Sequence, residues 1–248
     1  MSYQGTLNFE FQVYYENIAI MGMQGDGKTT QARKILDTIP NVPRWIWSPM
    51  RPTENYEGYG KYTDKIEELT RGFFIFTGEF NEKNFLAFIN KAKAQHDLLL
   101  VIDDCHEFCT KQFLPDEWKT LILSYRNKGI HSIFLSPFPN QVHNTILGSC
   151  AHVFCFRFTL ESQIEWVRKN VFGNQAWILL SRDLRQKDDP AWPDKLEKYS
   201  YMYRNMNHTE NQLMSFGQVA ILTQPKESNE DQNEEKKEEI EANDNHTD

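Results

Sequence analysis

Three closely spaced glycines precede a lysine and a threonine in the stretch MGMQGDGKTT, which fits the pattern G-x-x-x-x-G-K-[ST]. In a loop of this pattern the backbone N–H groups point inward at a polyphosphate, and the following helix adds the positive end of its dipole. Lys28 would reach the β- and γ-phosphates, and the Thr29 hydroxyl would ligate Mg²⁺. The pattern therefore predicts a site for ATP and Mg²⁺. Its predicted nucleotide-binding residues are Gly22, Gly25, Asp26, Gly27, Lys28, Thr29 and Thr30.

The residues on either side of this loop have the patterns of a strand and a helix. The apolar run NIAIM precedes the loop, and Ala32, Ile35, Leu36 and Ile39 follow it at helical spacing until Pro40. A strand, a glycine-rich loop and a helix in this order are the context that a phosphate-binding loop requires. We therefore interpret the stretch as a P-loop.

A second candidate element of the same site is the stretch LLLVIDD. Five apolar residues predict a strand that is buried on both faces, and it ends in two aspartates. Asp103 would hold Mg²⁺ through water, as in the Walker B motif, and Asp104 would orient or deprotonate the attacking water. Glu107 is an alternative base. The predicted metal ligands are thus Thr29 and Asp103.

The order of predicted elements defines the expected fold. Strand-like runs alternate with helical patterns, which is typical of an α/β protein with a mostly parallel central sheet flanked by helices. The runs are NIAIM, PRWIWS, FFIF, LLLVI, HSIFLS, HVFCFRF and YSYMY. We predict one P-loop ATPase domain over residues 1–225, with a small C-terminal addition at about 173–225. Residues 226–248 are predicted to be a disordered acidic tail.

Charge and cysteine content limit the partners and the compartment. The tail carries ten acidic and three basic residues, a net charge of −7 out of the −8 of the whole chain. The folded part is therefore almost neutral, so a nucleic-acid contact would need a local patch or repetition in an oligomer. Four cysteines show no C-x-x-C spacing, which favours free thiols over a zinc site that includes His106. We expect no membrane span and no signal peptide, hence a protein that is not secreted.

From residue 98 to about 158 the chain resembles the FtsK–HerA superfamily of DNA-translocating ATPases, and within it the packaging ATPases of viruses with internal membranes and double-jelly-roll capsids. The chain reads DDCH, YRNKGI, SPFP and FCFRF where those proteins have D-E-A-H, a helix ending in arginine before a K-G-I-like turn, S-Q-x-P, and a strand ending in F-R. The resemblance implies a RecA-like P-loop NTPase of the ASCE type. It also implies a homo-oligomeric ring, most simply a hexamer, that acts on double-stranded DNA.

Individual site residues carry over from this resemblance. Arg126 corresponds to an arginine finger that acts on the ATP of a neighbouring subunit, with Arg157 as the alternative. Ser136 corresponds to a sensor of the γ-phosphate. The predicted catalytic set is therefore Lys28, Asp103, Asp104, Arg126 and Ser136.

The chain departs from the family pattern at two positions. Asp104 replaces the family's catalytic glutamate, and Pro137 replaces its sensor glutamine. Asn140 or Gln141 is a candidate substitute for that glutamine.

Three functions fit these observations. The first is an ATPase that moves double-stranded DNA into a viral capsid, found in the host cytoplasm or the virion, with a capsid or portal-vertex protein as a further partner. Its candidate DNA-contacting loop spans residues 49–65 and contains Arg51, Tyr56, Tyr59, Lys61 and Tyr62. The second is a nucleotide or nucleoside kinase, for which Arg182 and Arg185 would supply lid arginines. The third is a nucleotide-dependent assembly factor with little turnover.

Overall fold

The computed structural model of the protein describes residues 16–48, 55–179, 199–206, 211–215 and 218–222. The predicted acidic tail lies outside these residues, as do Arg51, Arg182 and Arg185. In the described part of the chain no helix is both long enough and apolar enough to cross a membrane.

A ten-stranded sheet forms the centre of the described structure, with the strand order β10-β9-β8-β7-β1-β6-β5-β2-β4-β3. The strands from β7 to β3 in this order are parallel, whereas β8, β9 and β10 are antiparallel to their neighbours. The strands are β1 (Asn17–Met21), β2 (Arg44–Trp47), β3 (Lys61–Thr63), β4 (Phe73–Phe76), β5 (Leu98–Ile102), β6 (Ile130–Ser136), β7 (Cys150–Cys155), β8 (Tyr201–Asn205), β9 (Asn211–Ser215) and β10 (Gln218–Leu222). Seven of these strands contain or overlap the strand-like runs of the sequence, and the C-terminal strands extend the same sheet beyond β7.

Helices cover both faces of the sheet because the central strands carry apolar side chains on both of their faces. Leu98, Leu100 and Ile102 of β5 belong to the larger apolar cluster with α2 and α3, while Leu99 and Val101 belong to the cluster beneath α1. The α-helices are α1 (Lys28–Thr38), α2 (Glu82–Lys93), α3 (Asp116–Lys128), α4 (Asn144–Ser149) and α5 (Glu161–Val167). A π-helical turn (Arg168–Phe172) and a 3₁₀ helix (Gly173–Leu179) follow α5. The α/β prediction is confirmed.

Local signals explain where the helices begin and end. Asn81 accepts a hydrogen bond from the Asn84 backbone N–H at the start of α2. Gly129, at a φ of 63°, ends α3 in the left-handed conformation that glycine adopts without strain. The turn at Gly129 then places the end of α3 directly before β6.

Candidate nucleotide site

The P-loop connects the carboxyl end of β1 to the first turn of α1. Gly27 has a φ of 100° and directly precedes the helix, so an L-residue with a side chain would be strained there. A Cβ on Gly22 would lie 2.4 Å from the Cβ of Phe156, so glycine is also needed where β1 approaches the end of β7. The loop geometry thus depends on glycine at the two ends of the motif.

Lys28 is held over the loop by the loop itself. Its Nζ donates hydrogen bonds to the carbonyl oxygens of Gly22, at 2.8 Å, and of Met23, at 2.9 Å. Both acceptors are backbone carbonyls of the loop, and they hold the ammonium at the wall of the cleft. A polyphosphate in the loop would meet this charge together with the N-terminus of α1.

Asp26 and Arg157 form an ion pair that braces the loop. Arg157 Nη2 donates to Asp26 Oδ1 at 2.7 Å, and the Asp26 carboxylate is buried. The Arg157 carbonyl also accepts a hydrogen bond from the backbone N–H of Met23. The Asp26 side chain is therefore turned away from the cleft, and the alternative of Arg157 as a finger for a neighbour conflicts with its engagement in its own P-loop.

The two aspartates lie at the carboxyl end of β5, as the sequence pattern predicts. The Asp103 backbone N–H donates to the carbonyl of Trp47, and its Oδ1 accepts from the Asp104 backbone N–H at 3.1 Å. Asp104 has a φ of 52°, a left-handed conformation that turns the chain into the short helix Cys105–Glu107. Both aspartates line the same cleft as the P-loop.

The sheet order brings these two motifs together. Strand β6 lies between β1 and β5, and all three are parallel, so their carboxyl ends share one edge. Ser136 ends β6, where its carbonyl accepts a hydrogen bond from the Gly22 backbone N–H. Its hydroxyl exchanges hydrogen bonds with the backbone of Phe138 and is buried, and its sensor role stays a prediction.

The cleft at this edge has a volume of about 650 Å³. It is lined by Met23, Gln24, Gly25, Gly27, Lys28, Thr29, Thr30, Asn55, Asp103, Asp104, His106, Glu107, Pro137, Phe138, Thr159, Leu160, Gln163 and Tyr199. Of the predicted nucleotide-binding residues, Gly22 and Asp26 are not among those that line the cleft. The donor set fits Mg²⁺, since the Thr29 hydroxyl and the Asp103 carboxylate are hard oxygen ligands that line the same cleft.

The sequence did not predict that His106 and Tyr199 line this cleft. His106 lies with its Nε2 3.2 Å from Glu107 Oε1 and its ring edge against Phe138, and burial lowers the pKa of the imidazole. The neutral ring therefore donates to Oε1 of Glu107, the alternative base, whose side chain is half exposed. Tyr199 lies beside Gly27, although no signal links it to a loop more than 170 residues earlier.

The candidate DNA-contacting loop requires a correction at Tyr56. This side chain is completely buried beneath the sheet near Thr29 and Asp103, so it is not a surface residue. Its ring belongs to the apolar cluster that also contains residues of α1, β2 and β4. Lys61 and Tyr62 of β3, in contrast, are exposed.

Arg126 lies away from its own cleft. It is exposed in the last turn of α3, with its Nε donating to the hydroxyl of Tyr125 at 2.9 Å. Strand β6 begins just after this helix, and its seven residues span about 20 Å to the edge that carries the cleft. Arg126 therefore cannot reach the phosphate site of its own subunit.

The four cysteines are free and buried. Burial raises the pKa of each thiol, for Cys109 to about 11, so at neutral pH they are protonated. Within the described residues no group of three or more His, Cys, Asp or Glu side chains is arranged to hold a metal ion.

These features define a P-loop NTPase fold of the ASCE type, in which an additional strand, β6, separates the P-loop strand from the acidic strand. A search of protein-family models and a search of curated proteins each gave no match. The genome-packaging NTPase B204 of Sulfolobus turreted icosahedral virus 2, in complex with sulfate, is similar in structure, with a TM-score of 0.65 and 13% identity over 81% of this chain and 96% of that chain.

Two further solved structures have the same fold. The DNA-packaging ATPase B204 of Sulfolobus turreted icosahedral virus has a TM-score of 0.63 at 13% identity, over 81% of this chain and 97% of that chain. The pCW3 conjugation coupling protein TcpA, with ATPγS, has a TM-score of 0.53 at 14% identity, over 82% of this chain and 62% of that chain. The predicted fold class is confirmed, and the resemblance to packaging ATPases extends from the motifs to the fold.

Proposed function

We propose that the protein is an ATPase that uses hydrolysis to move double-stranded DNA, and that its cellular role is to package a viral genome. The observation that carries the proposal is the combination of fold and cleft. The fold matches packaging NTPases over nearly their whole length, and the cleft collects a P-loop lysine, a Mg²⁺-compatible oxygen pair and a candidate base. At 13% identity the match supports this role through the fold, and the cleft residues supply the chemistry.

Each of the main cleft residues has its own role in the proposed reaction. Lys28 and the loop N–H groups would bind the phosphates, and Thr29 and Asp103 would hold Mg²⁺. Mg²⁺ supplies charge neutralisation at the β- and γ-phosphates when it is bound. Asp104 accepts the proton of the attacking water, because it lies one residue beyond Asp103 and lines the same cleft.

The cleft needs a second positive charge, and a neighbouring subunit is its proposed source. Among the described residues that line the cleft there is no arginine. Arg126 is exposed, and Leu123, one turn earlier on α3, exposes 68% of its surface. An exposed leucine and an exposed arginine at i and i+3 share one helix face, which is suited to a subunit contact. We assign this face to the interface of a homo-oligomeric ring, with six subunits as the simplest form.

DNA contact would come from repetition around that ring, because the body of one subunit is almost neutral. Lys61 and Lys65 expose 72% and 67% of their side chains at the β3 edge, where both lie within 4 Å of Glu68. One or two lysines per subunit give a collar that contacts phosphates without reading bases. A capsid or portal-vertex protein is the further partner that this role requires, in the host cytoplasm or the virion.

The test is to measure ATPase activity with and without duplex DNA while the particle size is determined. We expect an oligomer whose ATPase activity rises several-fold with duplex DNA, and no activity in Lys28→Ala. Transfer of phosphate to a nucleoside or nucleotide by a monomer or dimer would instead identify a kinase. Oligomerisation with bound ATP but no hydrolysis would identify an assembly factor. Either result would overturn the proposal.

A further inference from the structure

The side chain of Tyr56 carries a hydroxyl group but is buried in an apolar cluster. It lies in the turn of residues 55–58, is 0% exposed, and packs in the apolar cluster beneath the sheet with Ala32 of α1 and Ile46 of β2. Its ring also meets the ring of Tyr59 edge to face, with centroids 6.5 Å apart. These contacts fix the ring, so they also fix the position of its hydroxyl.

The hydroxyl of Tyr56 is directed at the oxygens that would hold Mg²⁺. It lies within hydrogen-bonding reach of the side chains of Thr29 and Asp103, but it forms a hydrogen bond of standard geometry with neither. A buried hydroxyl whose hydrogen bonds are poorly formed is costly, and in native proteins such groups are fully paired with protein, water or ligand.

A hydrated magnesium ion would satisfy this hydroxyl in both directions. Mg²⁺ in nucleotide sites keeps several of its waters, and each such water is a strong hydrogen-bond donor. The Tyr56 oxygen can accept from one of them, while its O–H donates to the Asp103 carboxylate. Hydrogen bonds of this kind orient the groups around a metal, and their loss commonly lowers metal affinity tenfold or more.

We propose that Tyr56 is a positioning residue of the magnesium site, which orients Asp103 and a metal-bound water, and that it ties the turn at residues 55–58 to the occupancy of that site. This role depends on the proposed function, because it assumes that Mg²⁺ and ATP bind in the cleft. The turn leads directly into β3, where Lys61 and Tyr62 are exposed. Occupancy of the nucleotide site would therefore order a segment that continues to the surface of the protein.

The test compares ATPγS affinity in Mg²⁺ with that in EDTA for the wild type, Tyr56→Phe and Tyr59→Phe. Tyr59 is the matched control, because it lies on the same segment and its hydroxyl bonds to Asp37 at 2.7 Å, outside the cleft. We expect Tyr56→Phe to lose about tenfold of the tightening that Mg²⁺ gives, with unchanged affinity in EDTA. Tyr59→Phe should behave as the wild type does.

Hydrogen exchange gives a second readout that does not depend on affinity. In the wild type, ATPγS with Mg²⁺ should protect the amides of residues 55–63 more than ATPγS with EDTA, and this difference should vanish in Tyr56→Phe. The same Mg²⁺ dependence in Tyr56→Phe as in the wild type would overturn the inference, as would an equal loss of affinity in both conditions, which indicates a structural role. If the wild type binds no ATPγS at all, the proposed function itself fails.

Discussion

Asp104→Asn should bind ATP and Mg²⁺ as the wild type does, but it should hydrolyse ATP more slowly by a factor of about a hundred to ten thousand. Loss of a general base typically has an effect of about this size. The amide has nearly the shape of the carboxylate but does not accept the proton of the attacking water. The substitution is also well tolerated by the backbone, because asparagine readily adopts the left-handed conformation that Asp104 has at a φ of 52°. Single-turnover hydrolysis, with ATP affinity measured separately, distinguishes the two effects.

Glu107→Gln is the matched control for this experiment. Glu107 lines the same cleft, three residues further along the chain, but its carboxylate accepts a hydrogen bond from His106. We expect the ATPase activity of Glu107→Gln to remain within a few-fold of that of the wild type. If Asp104→Asn stays active and Glu107→Gln does not, the base is Glu107.

Arg126→Ala should still bind ATP but hydrolyse it more slowly by a factor on the order of a thousand, as expected for an arginine finger supplied by a neighbour. Arg126 lies at the opposite edge of the sheet from its own cleft, so a direct effect on its own site is excluded by distance. The matched control is Lys119→Ala, which removes another exposed cation from α3. Steady-state ATPase activity of the assembled oligomer is the measurement, and Lys119→Ala should leave it unchanged.

Mixing two inactive variants tests whether the arginine acts across a subunit boundary. Arg126→Ala subunits have an intact P-loop, and Lys28→Ala subunits have an intact arginine. A mixed ring therefore contains competent sites where an intact cleft meets an intact arginine. We expect activity to recover near equal mixing, once subunit exchange is verified. Mixed rings without recovery, or full activity of Arg126→Ala alone, would remove Arg126 from the mechanism.

Local pattern was sufficient to predict the elements that build the cleft. The glycines and Lys28 of the P-loop lie between a buried strand and an amphipathic helix, and the apolar run before Asp103 is a central strand. These signals are local because a strand buried on both faces and a helix buried on one face each require a particular spacing of apolar residues. The class of fold and both edges of the cleft followed from them.

Contacts between distant parts of the chain could not be predicted in this way. The ion pair of Asp26 and Arg157 joins residues that are 131 positions apart in the chain. It forms because β1 and β7, the strands that precede these residues, are adjacent in the sheet. The candidate DNA-contacting loop around Tyr56 is rich in turn formers, which predicts a surface position, whereas the ring of Tyr56 is buried. The composition of a segment does not predict the burial of each of its side chains, because that burial depends on packing against other segments.

The most direct measurement of the central claim is displacement of a third strand from a DNA triplex. A motor that moves along duplex DNA removes the third strand without separating the duplex, and it does so only while it hydrolyses ATP. We predict that the wild-type protein displaces the third strand with ATP and Mg²⁺, and that neither ATPγS nor Lys28→Ala supports displacement. DNA-stimulated hydrolysis of ATP without any displacement of the third strand would contradict the assignment of this protein as a DNA-translocating motor.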